Sequence, residues 1–474
     1  MGVKKNFGYN LILTFCNYLF PLITYPYISR VLGVELIGAC GFVDSIINYF
    51  ILFSMLGVGS YGVREISRCG DDLQRRSAVF SSLVTLNGLF SILAVIVLVV
   101  STLTIPQLSQ YKEFLGIGVV KLIFNLFLIE WFFQGIEQFK YITIRSVVIR
   151  SLYVLSILLF VKSKRDVYLY YGLTSAIVVI NSIINWGYSR RFRKFSFKSV
   201  NLRLFIAPVI TFGYYRLLTS MYTTFNTTFL GFSSGDVEVG YFSTATKLYS
   251  IIMGVFSAFT TVMVPRVSQM LANKDLDGIQ KVADKTFEIL YLVGVPIIIF
   301  CQFFAPQIIY LIAGPGYEGA ILPFRIVIFL LLVIGMEQIV IQQFLMASNS
   351  KRSIVYVSTI GAVTGILLNF MITPHIGAVG SAISWCISEL MVLLVGIVLM
   401  TKHLSVRIKW KGLISVVLGG LVYIGIAALL LYLLSSWVAM VVTMVCMTVA
   451  FTIMSVKVHK NKVVTEMLSK VLNR

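Results

Sequence analysis

Residues 79–103 read VFSSLVTLNGLFSILAVIVLVVSTL, a run in which no side chain carries a charge. At about 1.5 Å per residue, a helix of this length crosses roughly 30 Å of hydrocarbon. Similar runs recur along the whole chain, which is 58% hydrophobic and only 12% charged. A soluble protein of 474 residues could not cover its surface with so few charges, so the sequence predicts a membrane protein.

Fourteen such segments are predicted, and each must be a helix because backbone polar groups cannot go unpaired in lipid. The alternation expected of barrel strands is missing. The predicted spans are 7–28, 37–61, 79–103, 114–133, 144–161, 167–188, 204–229, 239–264, 287–312, 321–346, 354–372, 379–400, 413–434 and 437–456. The predicted fold class is therefore all-α, a polytopic membrane protein with about 14 transmembrane helices.

The positions of Lys and Arg predict the orientation of these spans. With the N-terminus inside, about thirty of the 39 basic residues fall in inner loops and the tail, against about five in outer loops. This pattern predicts that both termini are cytoplasmic. The net charge of +20 is then explained by loops that face anionic headgroups, and no nucleic-acid partner is expected. The tail after residue 456 has apolar residues at helical spacing and predicts a basic surface helix.

The loops are too short to form a soluble catalytic domain. None exceeds about twenty residues, and no GxxxxGK[ST] phosphate-binding loop occurs. The one acidic pair in an outer loop, Asp236 and Glu238, lies in a short turn rich in Ser and Gly. The six Cys are scattered singly, and the three His have no acidic partner at ligand spacing, so no disulfide or metal site is expected. We expect no cofactor and no enzymatic activity. A membrane-embedded polysaccharide polymerase or glycosyltransferase is the alternative of a different class.

Charged side chains at membrane depth are the candidate functional residues, because inserting each one costs roughly 2.5–3.5 kcal/mol. The cations are Lys121, Arg216, Lys247 and Arg325, with Arg30 just beyond the first span, and the acids are Asp44, Glu130, Glu337 and Glu389. Arg216, near the middle of span seven, and Lys247 predict a wet cavity that attracts an anionic substrate, since Arg binds phosphate through two parallel hydrogen bonds. In the alternative, the cations and acids pair within the bundle, and Lys121 and Arg325 extend outward to the interface. For the acids, structural pairing competes with binding of a coupling ion.

Spans one and seven also carry many Tyr, Thr and Asn side chains, among them Tyr25 and Asn226. On a cavity wall, such side chains can stack on sugars and hydrogen-bond to them. The alternative is that they hold neighbouring helices together.

A short pattern occurs twice, about 200 residues apart. VLG at 31–33 with GACGF at 38–42 is echoed by FLG at 229–231 with GYF at 240–242. Each copy joins an outward span to the next inward one, which predicts two six-helix lobes related by a pseudo-two-fold axis. The lobes would be residues 1–200 and 201–402, followed in 403–474 by spans 13 and 14 and the basic amphipathic tail.

Three separated motifs resemble the polysaccharide-repeat-unit flippases, of the O-antigen or capsule type. These belong to the multidrug/oligosaccharidyl-lipid/polysaccharide exporter superfamily. The motifs are YPYISRVLG at 25–33 with IG at 37–38, EWFFQGIEQFKY at 130–141, and VGYFS at 239–243 with Lys247 and VPRVS at 264–268. They occur in the family's order and topology, and the resemblance covers essentially the whole chain.

The resemblance implies a flippase that moves an undecaprenyl-pyrophosphate-linked oligosaccharide from the inner to the outer leaflet of a bacterial inner membrane by alternating access. By the same resemblance, Arg30 and Lys247 would belong to its cationic cavity, whereas Arg216 matches no motif and depends on its depth. The implied partners are the lipid-linked oligosaccharide, membrane lipids, a coupling ion (H⁺ or Na⁺), and polysaccharide polymerase and chain-length proteins. The alternatives within the superfamily are a drug/cation antiporter and a lipid II flippase.

Overall fold

The computed structural model describes residues 3–453 except 274, 347, 349–350, 405, 407 and 409. Within these described residues the secondary structure is helical and no strand occurs, which confirms the all-α prediction. The predicted surface helix of the tail lies outside the described residues.

The helices follow one another with short connections. The first ten are α1 Val3–Leu32, α2 Val34–Met55, α3 Val58–Arg68, α4 Leu73–Thr104, α5 Pro106–Ser109, α6 Lys112–Leu128, α7 Glu130–Gly135, α8 Phe139–Phe160, α9 Val167–Ser189 and α10 Leu202–Ser234. They are followed by α11 Asp236–Ala272, α12 Leu276–Ile312, α13 Ile321–Val327, α14 Leu330–Glu337, α15 Lys351–Leu404, α16 Trp410–Leu433 and α17 Ser436–Ile453. A π-helix, Gln338–Leu345, continues directly from α14.

In the part of the chain that the structure describes, 10 helical segments are long and apolar enough to cross a membrane individually. One of them lies in α15, which breaks at Ile376 and Gly377 and so contains two of the predicted spans. Together with α10, α11 and α17, this division brings the number of spans to about fourteen, as the sequence predicts.

Two predicted spans are interrupted at residues with a left-handed backbone. Span two divides into α2 and α3 at Leu56, where φ is 39°, and span four divides into α6 and α7 at Ile129, where φ is 36°. Because this conformation is disfavoured for side chains with a Cβ, the surrounding packing must hold it in place. At the second break, the amide of Asn185 donates a hydrogen bond to the carbonyl oxygen of Leu128, which the broken helix leaves without its usual partner.

The chain folds into two compact units. Unit 1 comprises Met1–Thr244 and Ser358–Ser388, and unit 2 comprises Ala245–Val357 and Glu389–Arg474. The division into lobes at residues 200 and 402 follows from the sequence echo and stays a prediction.

The sequence echo has a conformational counterpart inside unit 1. Gly33, between α1 and α2, has φ 81° and ψ 171°, and Gly235, between α10 and α11, has φ 83° and ψ −178°. The structural equivalent of Gly33 is therefore Gly235, whereas the sequence pattern pairs Gly33 with Gly231. Only glycine adopts such a backbone without strain, which explains why both connections use it.

The two copies of the pattern pack against each other at Gly38 and Gly240. A Cβ on Gly38 would overlap the carbonyl oxygen of Asp236, and a Cβ on Gly240 would overlap that of Val34. The first turns of α2 and α11 thus approach backbone to backbone, at a distance that only a residue without a side chain permits.

The EWFFQGIEQFKY motif begins in the core of unit 1. Trp131, Phe132 and Phe133 are buried in one cluster with Phe80, and Trp131 lies against Gly62, where a Cβ would overlap its ring. Burial of these rings anchors the short helix α7 after the break at Ile129.

Candidate functional site

A cavity in unit 1 lies between α2 and α10. Its volume is about 440 Å³, and its lining residues are Asn48, Tyr49, Ile51, Leu52, Met55, Arg216, Thr219, Ser220, Thr223 and Thr224. The members from each helix recur at helical spacing, so each helix presents one face to the cavity. A single guanidinium, that of Arg216, therefore shares the cavity with hydroxyl and amide groups and with the apolar side chains of α2.

Two helix interruptions position this cavity. The helix α10 bends by 42° between Leu202–Tyr214 and Arg216–Ser234, so Arg216 begins the segment after the bend. On the other side, the break between α2 and α3 packs Gly57 against Gly213 so closely that a Cβ on either would overlap the other's backbone. The hydroxyl of Tyr49 donates to the carbonyl oxygen of Ser220 at 3.1 Å and joins the two helices across the site.

Arg216 is exposed, and no described carboxylate lies within ion-pair distance of it. A Cβ on Gly59 would lie 3.5 Å from its Nη1 atom, so the start of α3 borders the guanidinium. An exposed guanidinium in a cavity that also presents hydroxyl groups is suited to bind phosphate or carboxylate oxygens through two parallel hydrogen bonds.

Lys121 has a different environment within unit 1. Its ammonium group forms an ion pair with Asp44 of α2, and Asn48 donates to the second oxygen of Asp44 at 3.3 Å. The charge of Lys121 is therefore balanced by a carboxylate, the arrangement that the pairing alternative predicts.

Tyr25 and Asn226 are both buried and both bond to neighbouring helices. The hydroxyl of Tyr25 lies 2.5 Å from that of Thr244. Asn226, which is 0% exposed, accepts a hydrogen bond from Asn369 at 2.6 Å. These contacts are those expected of side chains that hold helices together, and a role in binding sugar stays a prediction for both.

The remaining predicted cations are not among the lining residues of the Arg216 cavity. Arg30 is exposed and donates to the Pro26 carbonyl at 2.7 Å, within its own helix. Arg325 in unit 2 donates to the Gln302 carbonyl at 3.1 Å. Lys247 is half-buried on α11 in the same unit. Their roles in substrate binding stay predictions.

The four predicted acids fall into two kinds. Asp44 and Glu130 pair with cations, the latter with Arg145 at 2.6 Å. In unit 2, the carboxyl group of Glu337 lies close enough to that of Glu389 for the two to interact, and Glu389 is only 3% exposed. The Oε2 atom of Glu337 is buried without a hydrogen-bond partner. The π-helix begins at the next residue, and π-helical turns are frequent at functional sites.

The prediction that Asp236 and Glu238 lie in a loop turn is wrong, because both belong to the first turn of α11, where each has a structural contact. Asp236 accepts a hydrogen bond from the Tyr111 hydroxyl at 2.7 Å, and Glu238 accepts one from the backbone N–H of Ala378 at 2.7 Å. Glu238 thereby caps the second half of α15 after its break. Burial raises the pKa of Asp236 above its ordinary value. No group of three or more His, Cys, Asp and Glu able to hold a metal ion occurs in the described part of the chain.

Several residues of the Arg216 cavity were not among the predicted site residues. On α10, Thr219, Ser220, Thr223 and Thr224 follow Arg216 at intervals of three, four, seven and eight positions. This spacing places them on the face of Arg216 and could have been recognised in the sequence. Asn48 could not have been recognised as a site residue from the sequence, because only the packing of α2 against α10 brings it to the cavity.

Residues 3–271 match the family model described as polysaccharide biosynthesis protein, and residues 214–371 match the model named MatE. Two proteins that carry the name O-antigen transporter, from Escherichia coli and Shigella dysenteriae, are each 24% identical over 398 residues. These alignments cover 83% of this chain and 95% and 98% of the two relatives.

Solved structures share the fold at low sequence identity. The lipid II flippase MurJ, in an inward closed conformation, has a TM-score of 0.81 and 13% identity, with 96% of this chain and 99% of that chain covered. A multidrug resistance MATE family transporter of the MOP superfamily, in an inward-facing conformation, has a TM-score of 0.62 and 16% identity, with 82% and 94% covered. At such identities the likeness establishes the fold alone.

The relatives are named as transporters, which confirms the prediction of a transporter rather than an enzyme. The first family model covers more than half of the sequence, in agreement with the resemblance carried by the three motifs. The chain is a multi-pass membrane protein that belongs to the polysaccharide biosynthesis protein family.

Proposed function

We propose that this protein is a flippase that moves an undecaprenyl-pyrophosphate-linked oligosaccharide from the cytoplasmic to the outer leaflet. The observation that carries the proposal is the cavity of unit 1, in which the guanidinium of Arg216 faces hydroxyl and amide groups. A diphosphate bears negative charge, and a sugar bears many hydroxyl groups, so both halves of such a headgroup find complementary partners there. The names of the relatives support the same substrate class.

The physical problem of flipping explains why a cation in a polar cavity is useful. The headgroup cannot cross hydrocarbon unaided, whereas the polyprenyl tail can stay in lipid throughout. A cavity open to one leaflet at a time keeps the sugar hydrated, and alternation between two states changes the exposed side. Arg216 would hold the diphosphate during that change, with Lys247 proposed as a second cation along the transport path.

We propose Glu337 and Glu389 as the site of a coupling proton. Two carboxyl groups buried so close together repel each other when both are charged, so a pair of this kind is suited to hold a proton between them. The other two predicted acids, Asp44 and Glu130, are paired with Lys121 and Arg145 instead. A proton held by the glutamate pair and released on the opposite side of the membrane would give the cycle its direction.

Flipping is tested with purified protein in vesicles that contain lipid-linked oligosaccharide. A lectin added outside the vesicles binds only the sugars in the outer leaflet. A change in the fraction of bound sugar with time therefore measures the movement of the lipid between leaflets. Because a charge-assisted hydrogen bond contributes about 1.5–3 kcal/mol, Arg216→Ala should slow flipping by roughly 10- to 150-fold. Arg216→Lys should recover part of the rate, since it restores the charge without the planar fork.

The matched control is Arg203→Ala, which removes an exposed guanidinium from the start of the same helix. The Arg203→Ala variant should move the lipid-linked oligosaccharide at the same rate as the unmodified protein. If Arg216→Ala also flips at that rate with a normal protein level, Arg216 has no part in transport. If the protein lengthens the oligosaccharide instead of moving it, the protein is a polymerase.

The proposal includes the orientation of the protein and the membrane in which it lies. The positive-inside pattern supports cytoplasmic termini in a bacterial inner membrane. The proposed partners are the polymerase and chain-length proteins that would use the exported repeat units. Vesicles loaded with lipid II in place of lipid-linked oligosaccharide test the lipid II alternative, and preferential flipping of lipid II would favour that function.

A further inference from the structure

A second and larger cavity lies in unit 1, where α3 and α9 end and α4 and α8 begin. Its volume is about 920 Å³, and it shares no lining residue with the Arg216 cavity. Its wall includes Gly135 at the end of α7 and the turn from Ile136 to Gln138 that leads to α8. Lys140 and Tyr141 in the first turn of α8 also line it. This turn belongs to the EWFFQGIEQFKY motif, to which the transport proposal assigns no role.

The cavity wall contains buried donors that lack acceptors. Arg145, only 7% exposed, forms an ion pair with Glu130 at 2.6 Å and donates to Ser146 at 3.1 Å and to Oδ1 of Asn185, and its Nε–H has no hydrogen-bond partner. The Nε–H of Arg76, another lining residue, is likewise buried without a partner. Buried donors are normally satisfied, so an unpaired N–H on each of two guanidinium groups beside one cavity, with no carboxylate paired to Arg76 among the described residues, favours an anionic ligand.

The surrounding loops make this end of unit 1 strongly positive. Residues 64–76, 137–145 and 188–203 contain twelve Lys and Arg and four Asp and Glu, a net charge of +8. One of the cations, Arg193, lies between the rings of Phe80 and Trp186, 4.1 and 4.2 Å from their centroids. Burial lowers the pKa of Arg193 to about 10, so it remains charged at neutral pH. In the predicted orientation this end faces the cytoplasm.

One side of the cavity continues into the membrane-facing surface. Ile144 and Ile184 line the cavity and are 50% and 41% exposed. Beyond Ile144, exposed apolar side chains follow along α8 at helical spacing, namely Val148, Leu152, Leu155 and Leu159. At 1.5 Å per residue this stripe extends about 22 Å, which is longer than one leaflet's share of the hydrocarbon core. A ligand with a charged head and an apolar tail would place its head in the cavity and its tail along the apolar stripe of α8.

We propose that this cavity binds the headgroup of an anionic phospholipid from the cytoplasmic leaflet, with an acyl chain along the exposed stripe of α8. Phosphate oxygens would accept from the ammonium group of Lys140 at the rim and from the guanidinium group of Arg76, whereas Glu130 balances the charge of Arg145 behind them. The positive potential selects a lipid with net negative charge over a zwitterionic one. The site is independent of the proposed transport site, and its occupancy would stabilise the turn between α7 and α8.

Native mass spectrometry of the full-length protein tests the proposal without any transport measurement. The protein is released from micelles that contain equal amounts of phosphatidylglycerol and phosphatidylcholine. One phosphatidylglycerol should be retained preferentially. Because a cation in contact with an anionic headgroup contributes about fivefold to its binding, and a distant cation much less, Lys140→Ala should weaken retention roughly fivefold and Arg76→Ala with Lys140→Ala roughly 25-fold.

The matched control is Lys194→Ala with Lys198→Ala, which removes two charges from the same end without altering the cavity wall. It should weaken retention less than twofold. Lys140 is exposed, so its single variant keeps the test valid if the Arg76 variant fails to fold. Equal retention of the two lipids, or an equal loss in the control, would overturn the proposal. So would preferential retention of added undecaprenyl phosphate, which would instead identify a substrate entry site.

Discussion

Lys121 of α6 forms an ion pair with Asp44 of α2, one helical turn from Asn48 in the wall of the Arg216 cavity. Two cations that the sequence places at membrane depth thus have opposite environments. The charge of Lys121 is balanced by a carboxylate, whereas no described carboxylate pairs with Arg216. This difference makes Arg216 the stronger candidate for holding an anionic substrate in unit 1.

Replacing Lys121 by Met should destabilise the protein by about 1–3 kcal/mol, because Asp44 would lose its cation inside the helix bundle. The double variant Lys121→Met with Asp44→Asn should recover part of that loss, since no unpaired charge remains. The melting temperature of the purified protein measures both effects. An equal loss in the single and double variants would show that the unpaired charge of Asp44 is not the cause of the destabilisation.

Substituting Gly240 by Ala should prevent normal assembly, because the added methyl group would overlap the Val34 carbonyl where α2 meets α11. We expect a loss of roughly 3 kcal/mol or more, seen as a low melting temperature or a low protein level. The matched control is Gly172→Ala in α9, where no atom lies within 4 Å of the added methyl group. The control should be neutral or slightly stabilising, as for most glycines replaced within helices.

Asn226→Ala should lower stability by about 1–3 kcal/mol, because the buried amide of Asn369 would lose its acceptor. The flipping rate per correctly folded molecule should stay close to that of the unmodified protein. Asn369→Ala should behave alike, since both variants break the same hydrogen bond. Normal stability combined with lost flipping in Asn226→Ala alone would instead support the sequence prediction that this residue binds substrate.

Glu389→Gln should abolish the response of flipping to an imposed pH gradient. The amide can still hydrogen-bond to Glu337 but cannot take up and release a proton. The measurement is the flipping rate in vesicles with and without the gradient. Glu65→Gln is the matched control, because Glu65 pairs with Arg68 at the end of α3 and should leave the response intact. A gradient response that survives in Glu389→Gln would place the coupling site elsewhere.

The spans were predictable because hydropathy is a property of the segment itself. The predicted span 79–103 lies inside α4, Leu73–Thr104, and the all-α class follows from the same reasoning. The interruptions at Leu56 and Ile129 were not predictable, because both residues are apolar and typical of an uninterrupted span. Their left-handed backbone is held by neighbouring helices, and nothing in the local sequence indicates it.

The candidate site was predictable only in part. The depth of Arg216 and the spacing of the hydroxyl residues after it are visible in the sequence, and they indicate one polar face of α10. The partner of each charge is not visible. Asp44 and Lys121 are 77 positions apart, and Asn226 and Asn369 are 143 apart, so only helix packing decides that they meet.

The sequence by itself determined that the chain crosses the membrane about fourteen times and that its basic residues alternate between loops, because both depend on local composition. Only the tertiary structure decided which buried charges are balanced and which face a cavity. The energy of a charge in a membrane protein depends on the groups within a few ångströms of it, and those groups come from helices that are distant in the sequence.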